Sequence, residues 1–310
     1  MTLSDSHNSS STWSEQVWLL GLPKLADFVS NVRRRTEGGP QADEGELIRL
    51  WRAAASRYRD LEALEENIAD TVEIRELTAA MQPLADRVVD DPHFRKVYAS
   101  LPCAFGLVEL DKLIVYQQDV MIDHVARVRE RLGANPTDEA LFKLCLPFDH
   151  AVPEVRIGES AGRFIFHSPS TDLRFLGAEL LRPDQLRDFV PNGPAAGVIA
   201  LVVGFGSNYL NVVRVGKRLV LNNGYHRAYA LRALGFTHAP CVIQAVSHLD
   251  ELGFAGSSLI DANAELSFGS PRPPMLRDFF DAELAHRVRT PRMRRQIQVS
   301  YSTSRLNVPE

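Results

Sequence analysis

From residue 13 to about residue 132, apolar positions recur at intervals of three and four, the spacing that predicts amphipathic helices. Val17, Leu19, Leu20, Leu25 and Phe28 outline a short first element ahead of the basic cluster Arg33, Arg34 and Arg35; Gly38, Gly39 and Pro40 then break it. Leu47, Ile48, Trp51 and Ala54 continue the helical spacing, as do Leu61, Leu64, Ile68 and Val72. Asp91 followed by Pro92 predicts a capped helix start, since the carboxylate accepts from free N–H groups and proline suits the first turn. The longest predicted helix covers 107–132. Leu110, Leu113, Ile114, Gln117, Val120, Met121, His124, Val125 and Val128 share its apolar stripe, and Gly133 stops it. Such a stripe reads as bundle core or a dimer seam, with His124 a core or boundary histidine.

After Pro147 the texture changes, which predicts a domain boundary between Cys145 and Pro153. Arg163, Phe164, Ile165 and Phe166 have strand character, 173–176 reads as extended, and a short helix is expected over 182–188 before a Pro/Gly loop at 191–197. Two strands follow at 198–203 and 210–215, then a Gly216-Lys217 turn and a third strand at 219–222. A helix over 225–234 ends at Gly235, and 239–246 reads as one more strand. The fold class predicted is α+β: a disordered 1–12, a helical domain over 13–146, a mixed α/β domain over 147–270, and a basic extension over 271–310.

Charge and composition narrow the function classes. A net charge of −4 gives no global attraction to nucleic acid or an anionic membrane. No apolar run is long enough to span a bilayer, and the first dozen residues lack the features of a secretory signal, so a cytoplasmic protein is expected. Cys103, Cys145 and Cys241 are far apart and read as free thiols, neither a disulfide framework nor a zinc site; no metal ligands are assigned.

The chemistry concentrates at Asn223, Gly224, Tyr225, His226 and Arg227. A buried strand feeds a turn at Asn223-Gly224, and a helix starts at once. Its first N–H groups lack intrahelical acceptors and carry partial positive charge, which suits an anion. His226 and Arg227 stand in that first turn, where a cation opposes the helix dipole. An anion held between the dipole and the guanidinium resolves the conflict. The alternative is a plain turn with Arg227 paired to a protein carboxylate.

Asn223 to Arg227, the following Ala228, Ala230, Leu231, Leu234 and Gly235, and then Pro240, Cys241, Val242 and Ile243 resemble the ParB/sulfiredoxin-like superfamily. Members carry a Gly-x-His-Arg or Gly-x-x-Arg motif before a helix and then a strand that often begins with proline. The upstream residues Glu179 to Leu186, with Pro183, resemble the ParB-type entry segment, and the likeness covers roughly 173–245. It implies nucleotide or phosphate binding at Gly224, His226 and Arg227, with CTP, ATP or ADP and Mg²⁺ as the candidate cofactors. Superfamily members include CTP-binding partition proteins, nucleases, small-molecule kinases and sulfinic acid reductases. Tyr225 stands where sulfiredoxin-like members need a cysteine, and Asn223 stands where many enzymatic members have an acid. Glu179, Asp184 and Asp188 are the other carboxylates of the entry segment; Tyr225 is placed to stack on a base, and Tyr229 to pack on the sheet.

Arg287, Arg289, Arg292, Arg294 and Arg295 form a basic cluster, with Thr290-Pro291 interrupting a helix before it. It is read as an arm or a docking surface for acidic helices carrying Glu62, Glu65 and Glu66, with nucleic acid as the alternative. Three functions follow as expectations. The first is a ParB-like nucleotide- or phosphate-binding protein whose ligand regulates assembly, as a homodimer or with a protein partner on the helical half. The second is a kinase or nuclease in which His226 and Arg227 are catalytic. The third is a scaffold with a degenerate site.

Overall fold

The computed structural model describes residues 12–148, 152–160, 162–170, 172–185, 190–248, 250–252 and 264–308. The chain divides into two compact units, Met1–Phe148 with Asn208–Arg292, and Asp149–Ser207 with Met293–Glu310. Both helices and β-sheets are present, so the class is mixed α and β.

The first unit contains strands β1 (Trp13–Leu19), β2 (Ile74–Arg75), β3 (Cys103–Glu109) and β4 (Asp119–Met121). Its helices are α1 (Leu25–Arg35), α2 (Glu44–Leu64), α3 (Gln82–Asp90), α4 (Pro92–Val97), α5 (Ile122–Leu132) and α6 (Asp138–Cys145). The second unit carries β5 (Arg156–Ser160), β6 (Arg163–Ser168), β7 (Leu173–Leu181) and β8 (Val198–Phe205). The chain then returns to the first unit as β9 (Asn211–Val215), β10 (Arg218–Asn223), α7 (Tyr225–Ala233), β11 (His238–Val246) and β12 (Ala285–Pro291), and closes in the second with β13 (Arg295–Ser300).

The main sheet runs β10-β9-β11-β3-β2. β9 and β10 form an antiparallel hairpin, α7 crosses over, and β11 lies parallel to β9 on its other side. β11 also pairs antiparallel with β3, from Cys103↔Gln244 to Glu109↔His238. An early strand is therefore built into the same sheet as the motif, and 13–146 is not a separate helical domain. Val108, Val212, Leu219, Leu221, Ala230, Leu231 and Val242 make one continuous core around this sheet. At about 25 cal/mol per Å² of apolar surface, burying each large side chain contributes roughly 1.5–3 kcal/mol.

Two predicted helices are strands or loop. β1 is the middle strand of β12-β1-β4, buried on both sides from Gln16 onward. A strand covered on both faces loses its alternation and shows a continuous apolar run, which periodicity cannot separate from a helix. The expected helix over 107–132 exists only as α5. Before it, Val108 and Leu110 belong to β3 and its exit, Ile114 bridges to Val220 and Met275, and Val120 sits in β4. Val108, Ile114, Val115, Tyr116 and Val120 are β-branched or aromatic, and cross-strand packing overrides their helical spacing.

The capping expectations hold where the signal is local. The Asp91 carboxylate accepts from the N–H groups of His93 and Phe94 at 2.7 and 3.3 Å, and α5 ends at Gly133 with φ 74°. In 182–188, a 3-10 turn covers Pro183–Gln185, while Asp188 and its neighbours from 186 lie outside the described residues, as does 1–11. The basic extension also divides. β12 pairs with β1 along its whole length, whereas β13 pairs with β6. Arg287 bonds Glu15 at 2.6 Å, Arg292 bonds Asp123 at 2.8 Å, and Arg289 pairs with Glu37. These three arginines dock on acidic residues of the first unit, but not on Glu62, Glu65 or Glu66.

Candidate anion site at the paired histidines

The turn between β10 and α7 is built as its sequence predicts. Gly224 adopts φ 101° and ψ 24°, a left-handed conformation that side chains disfavour. A Cβ there would also stand 3.0 Å from Leu210 Cγ. The first helical bond is donated by Ala228 N–H to Gly224 O at 2.9 Å, so the N–H groups of Tyr225, His226 and Arg227 precede the ladder. Gly224, at the N-cap, offers no side chain to cap them.

Beneath the turn, three amides link neighbouring strands. Asn222 donates to Asn211 at 2.7 Å, and Asn211 donates to Gln244 at 2.9 Å. They satisfy polar groups that burial would otherwise penalise.

Arg227 faces away from the helix N-terminus. Its Nη1 donates to the carbonyls of Asn208 at 2.6 Å, Cys145 at 2.9 Å and Leu144 at 3.3 Å, and the residue is 8% exposed. One guanidinium thus ties the end of α6 to the segment entering β9. Among the described residues it forms no carboxylate pair. Burial lowers the pKa of this guanidinium and raises that of the adjacent Cys145 thiol to about 12. Tyr225 is likewise committed: its hydroxyl donates to Leu221 O at 2.8 Å and accepts from the N–H groups of Tyr116 and Gln117. Its ring is buried and does not present a face to a base. Tyr229 stacks on Phe280 at 4.6 Å between ring centroids and belongs to the same buried core as the main sheet.

His226 takes the other direction. Its ring lies 4.9 Å from that of His124 on α5, with the planes at 47°. The two histidines occupy the first turns of α5 and α7, so both helix N-termini lie at the same end of the packed pair. Among the described residues, α5 also begins without a side-chain cap. The His226 Nε2 atom is buried with no hydrogen-bond partner among the described residues. Burial first, then His124, Arg227 and Arg127, push the His226 pKa down to about 3. Burial and Arg127 lower that of His124 as well, against a smaller opposing effect of Asp123. Arg127 is exposed and makes no ion pair with a described residue. The charged arginines acting on His226 are cationic, and the one carboxylate named at the pair, Asp123, acts on His124.

Asp123 is held by Ser14 at 3.1 Å and by Arg292. Glu179 and Asp184 lie exposed in the second unit, Asp184 paired with Arg182 at 3.2 Å. The donor set at the histidine pair therefore suits an anion and does not supply carboxylates for Mg²⁺. A surface cleft of about 320 Å³ lies elsewhere in the first unit, beside Leu50, Arg57, Asp60 and His286. Its cation, Arg57, is neutralised by Asp281 and Glu283.

No family model, curated protein or solved structure matches the chain.

Of the predicted residues, the structure places Gly224 and His226 at the uncapped helix start, while the side chains of Tyr225 and Arg227 turn inward. His124 and Arg127 are the additions. His124 sits in the first turn of α5, a start that the longer helix predicted over 107–132 concealed, so the sequence carried no signal for either residue.

Proposed function

We propose that the first unit is a phosphate-binding domain of ParB/sulfiredoxin-like type, with the anion held by the first turns of α7 and α5, His226, His124 and Arg127. The observation that carries this reading is the buried, unpartnered His226 Nε2 beside a second histidine and an arginine, at a helix start with no cap. Desolvation holds both imidazoles below their ordinary pKa, against a smaller opposing effect of Asp123 on His124. A bound phosphate raises both pKa values, so one or both rings become charged donors and bond its oxygens. The proposal is of binding and not of a reaction. Asn223 replaces the acid, and the described carboxylates of the entry segment belong to the second unit. A nucleotide would present its phosphates here, with any Mg²⁺ carried on the phosphates themselves.

The second reading, a scaffold with a degenerate site, is favoured by Arg227, whose guanidinium serves main-chain carbonyls. A thermal-shift panel separates the two. Inorganic phosphate, sulfate, ATP, ADP and CTP are tested with and without Mg²⁺ on wild type and on Arg127→Ala with His226→Asn. Ligands that bind the native state raise the melting temperature by mass action. Stabilisation of wild type with loss in the double variant supports the anion site; equal or absent shifts in both leave the scaffold.

A further inference from the structure

In the first unit, α2 and the start of β12 enclose the surface cleft of about 320 Å³. Leu50, Ala53, Arg57 and Asp60 recur on α2 at intervals of three and four, so they share one face of the helix. The cleft is also lined by Glu283, in the turn before β12, and by Ala285 and His286 of β12 itself. The Asp281 carboxylate holds that turn, accepting from Glu283 N–H at 2.8 Å. Alanines at 53 and 285 leave space that longer side chains would fill, and Leu20 and Leu50 supply the apolar lining. At about 30 Å³ for each water-sized group, the cleft has room for roughly ten non-hydrogen atoms.

Its polar groups hold an excess of acceptors. Arg57 is already engaged: its Nε donates to Asp281 at 3.0 Å and pairs with Glu283 at 3.2 Å. Asp281 alone balances that charge, which leaves the carboxylates of Glu283 and Asp60 without a cation of their own. Asp60 acts on Arg57 through its charge but makes no hydrogen bond or ion pair with a described residue. The His286 ring is half-buried, and burial alone lowers its pKa, so near neutral pH it offers a lone pair. Arg52 and Arg59 stand exposed on α2 and do not line the cleft. An anion meets repulsion here, and a neutral ligand leaves two carboxylates uncompensated.

The geometry points to a binding site for a primary alkylammonium ion in this cleft, its head on Asp60, Glu283 and His286 and its stem along Leu20 and Leu50. An ammonium carries three donors and no acceptor, which matches the three acceptor groups. Its charge makes the bonds to the two carboxylates the stronger, charge-assisted kind. A quaternary ammonium lacks N–H donors and depends on the faces of Trp, Tyr or Phe, none of which lines the cleft. A free amine and the lysine side chain of another protein share the chemistry the site selects. The cleft has no residue in common with the histidine pair, so amine binding is independent of the anion site.

Titration of the full chain with n-pentylamine, followed by the NMR signals of the His286 ring, tests the inference; His286→Gln identifies those signals. The controls are n-pentanol, of the same length without charge, and pentanoate, of opposite charge. A lysine amide acetylated at its α-nitrogen separates a lysine side chain from a free amine. The expected result is a saturable shift with pentylamine and binding at least tenfold weaker for pentanol and pentanoate. Asp60→Asn with Glu283→Gln, both at exposed positions, is expected to raise the dissociation constant at least tenfold with the circular dichroism spectrum preserved. Saturable binding of the lysine amide as well extends the site to lysine-bearing partners, and its absence restricts the site to free amines. No saturable shift with pentylamine, equal binding of pentanol, or an unchanged affinity in the double variant overturns the inference. If the double variant loses its native spectrum, Asp60→Asn alone carries the comparison.

Discussion

Replacing Arg227 with alanine removes three hydrogen bonds from a buried guanidinium to main-chain carbonyls. The bonds to Asn208 and Cys145, at 2.6 and 2.9 Å, are the strong ones. Charge-assisted bonds contribute about 1.5–3 kcal/mol each, so these two amount to roughly 3–6 kcal/mol. Cys145 O keeps a second donor, Leu210 N–H at 2.8 Å, which softens its loss. Removing a buried cation also relieves a desolvation cost, and this offsets part of the change. The net expectation is a destabilisation of about 2–4 kcal/mol, a large share of the 5–15 kcal/mol that holds a domain folded. At about 2–4 °C per kcal/mol for a unit of this size, the midpoint falls by roughly 10 °C. Urea unfolding followed by circular dichroism measures it, with Arg227→Lys as the companion, because lysine cannot fork across several carbonyls. The motif read by sequence alone expects an intact fold and a loss of ligand. A change under about 0.5 kcal/mol with an unaltered m-value would falsify the structural role and return Arg227 to the ligand site.

Three further outcomes follow from the same geometry. Gly224→Ala forces a side chain into φ 101° and against Leu210, and is expected to cost about 1–3 kcal/mol by urea unfolding. Arg272 pairs with Asp278 at 2.6 and 2.7 Å, both side chains at 2% exposure or less, so Arg272→Ala strands a buried carboxylate. Its expected cost is about 3–5 kcal/mol, and a neutral result in chemical denaturation would refute the pairing. Finally, the His226 pKa lies near 3, below its ordinary 6.5, so between these values the unfolded chain holds the proton that the folded chain lacks. Stability is therefore full above pH 6.5 and falls as pH drops, by up to about 1.4 kcal/mol per unit from this group. His226→Asn should flatten that slope in a pH series of unfolding curves; an unchanged slope places the acid sensitivity elsewhere.

How much was legible in the sequence depended on distance along the chain. β9, β10, α7 and β11 could be read because a Gly-Lys turn, an Asn-Gly turn and a glycine stop punctuate them locally. β1 and β3 could not. Their partners, β12 and β11, lie far along the chain, and the run of β1 buried on both faces mimics helical spacing. The site divides in the same way. The positive φ at Gly224 and the uncapped α7 were written in the motif. The role of Arg227 was not, because main-chain carbonyl acceptors leave no signature in side-chain identity. His124 and Arg127 reach His226 only once α5 packs on α7, and α5 itself was hidden inside a longer false helix.

The most direct test of the anion site is isothermal titration calorimetry of sulfate binding at several pH values and in two buffers of different ionisation enthalpy. Sulfate keeps its charge over this range, so any proton exchanged belongs to the protein. Binding that takes up protons and strengthens as pH falls from about 7 to 5, with both effects lost in His226→Asn and affinity about tenfold weaker in Arg127→Ala, is the predicted result. Binding without proton uptake, or no binding to the wild type, would contradict an anion site at the histidine pair.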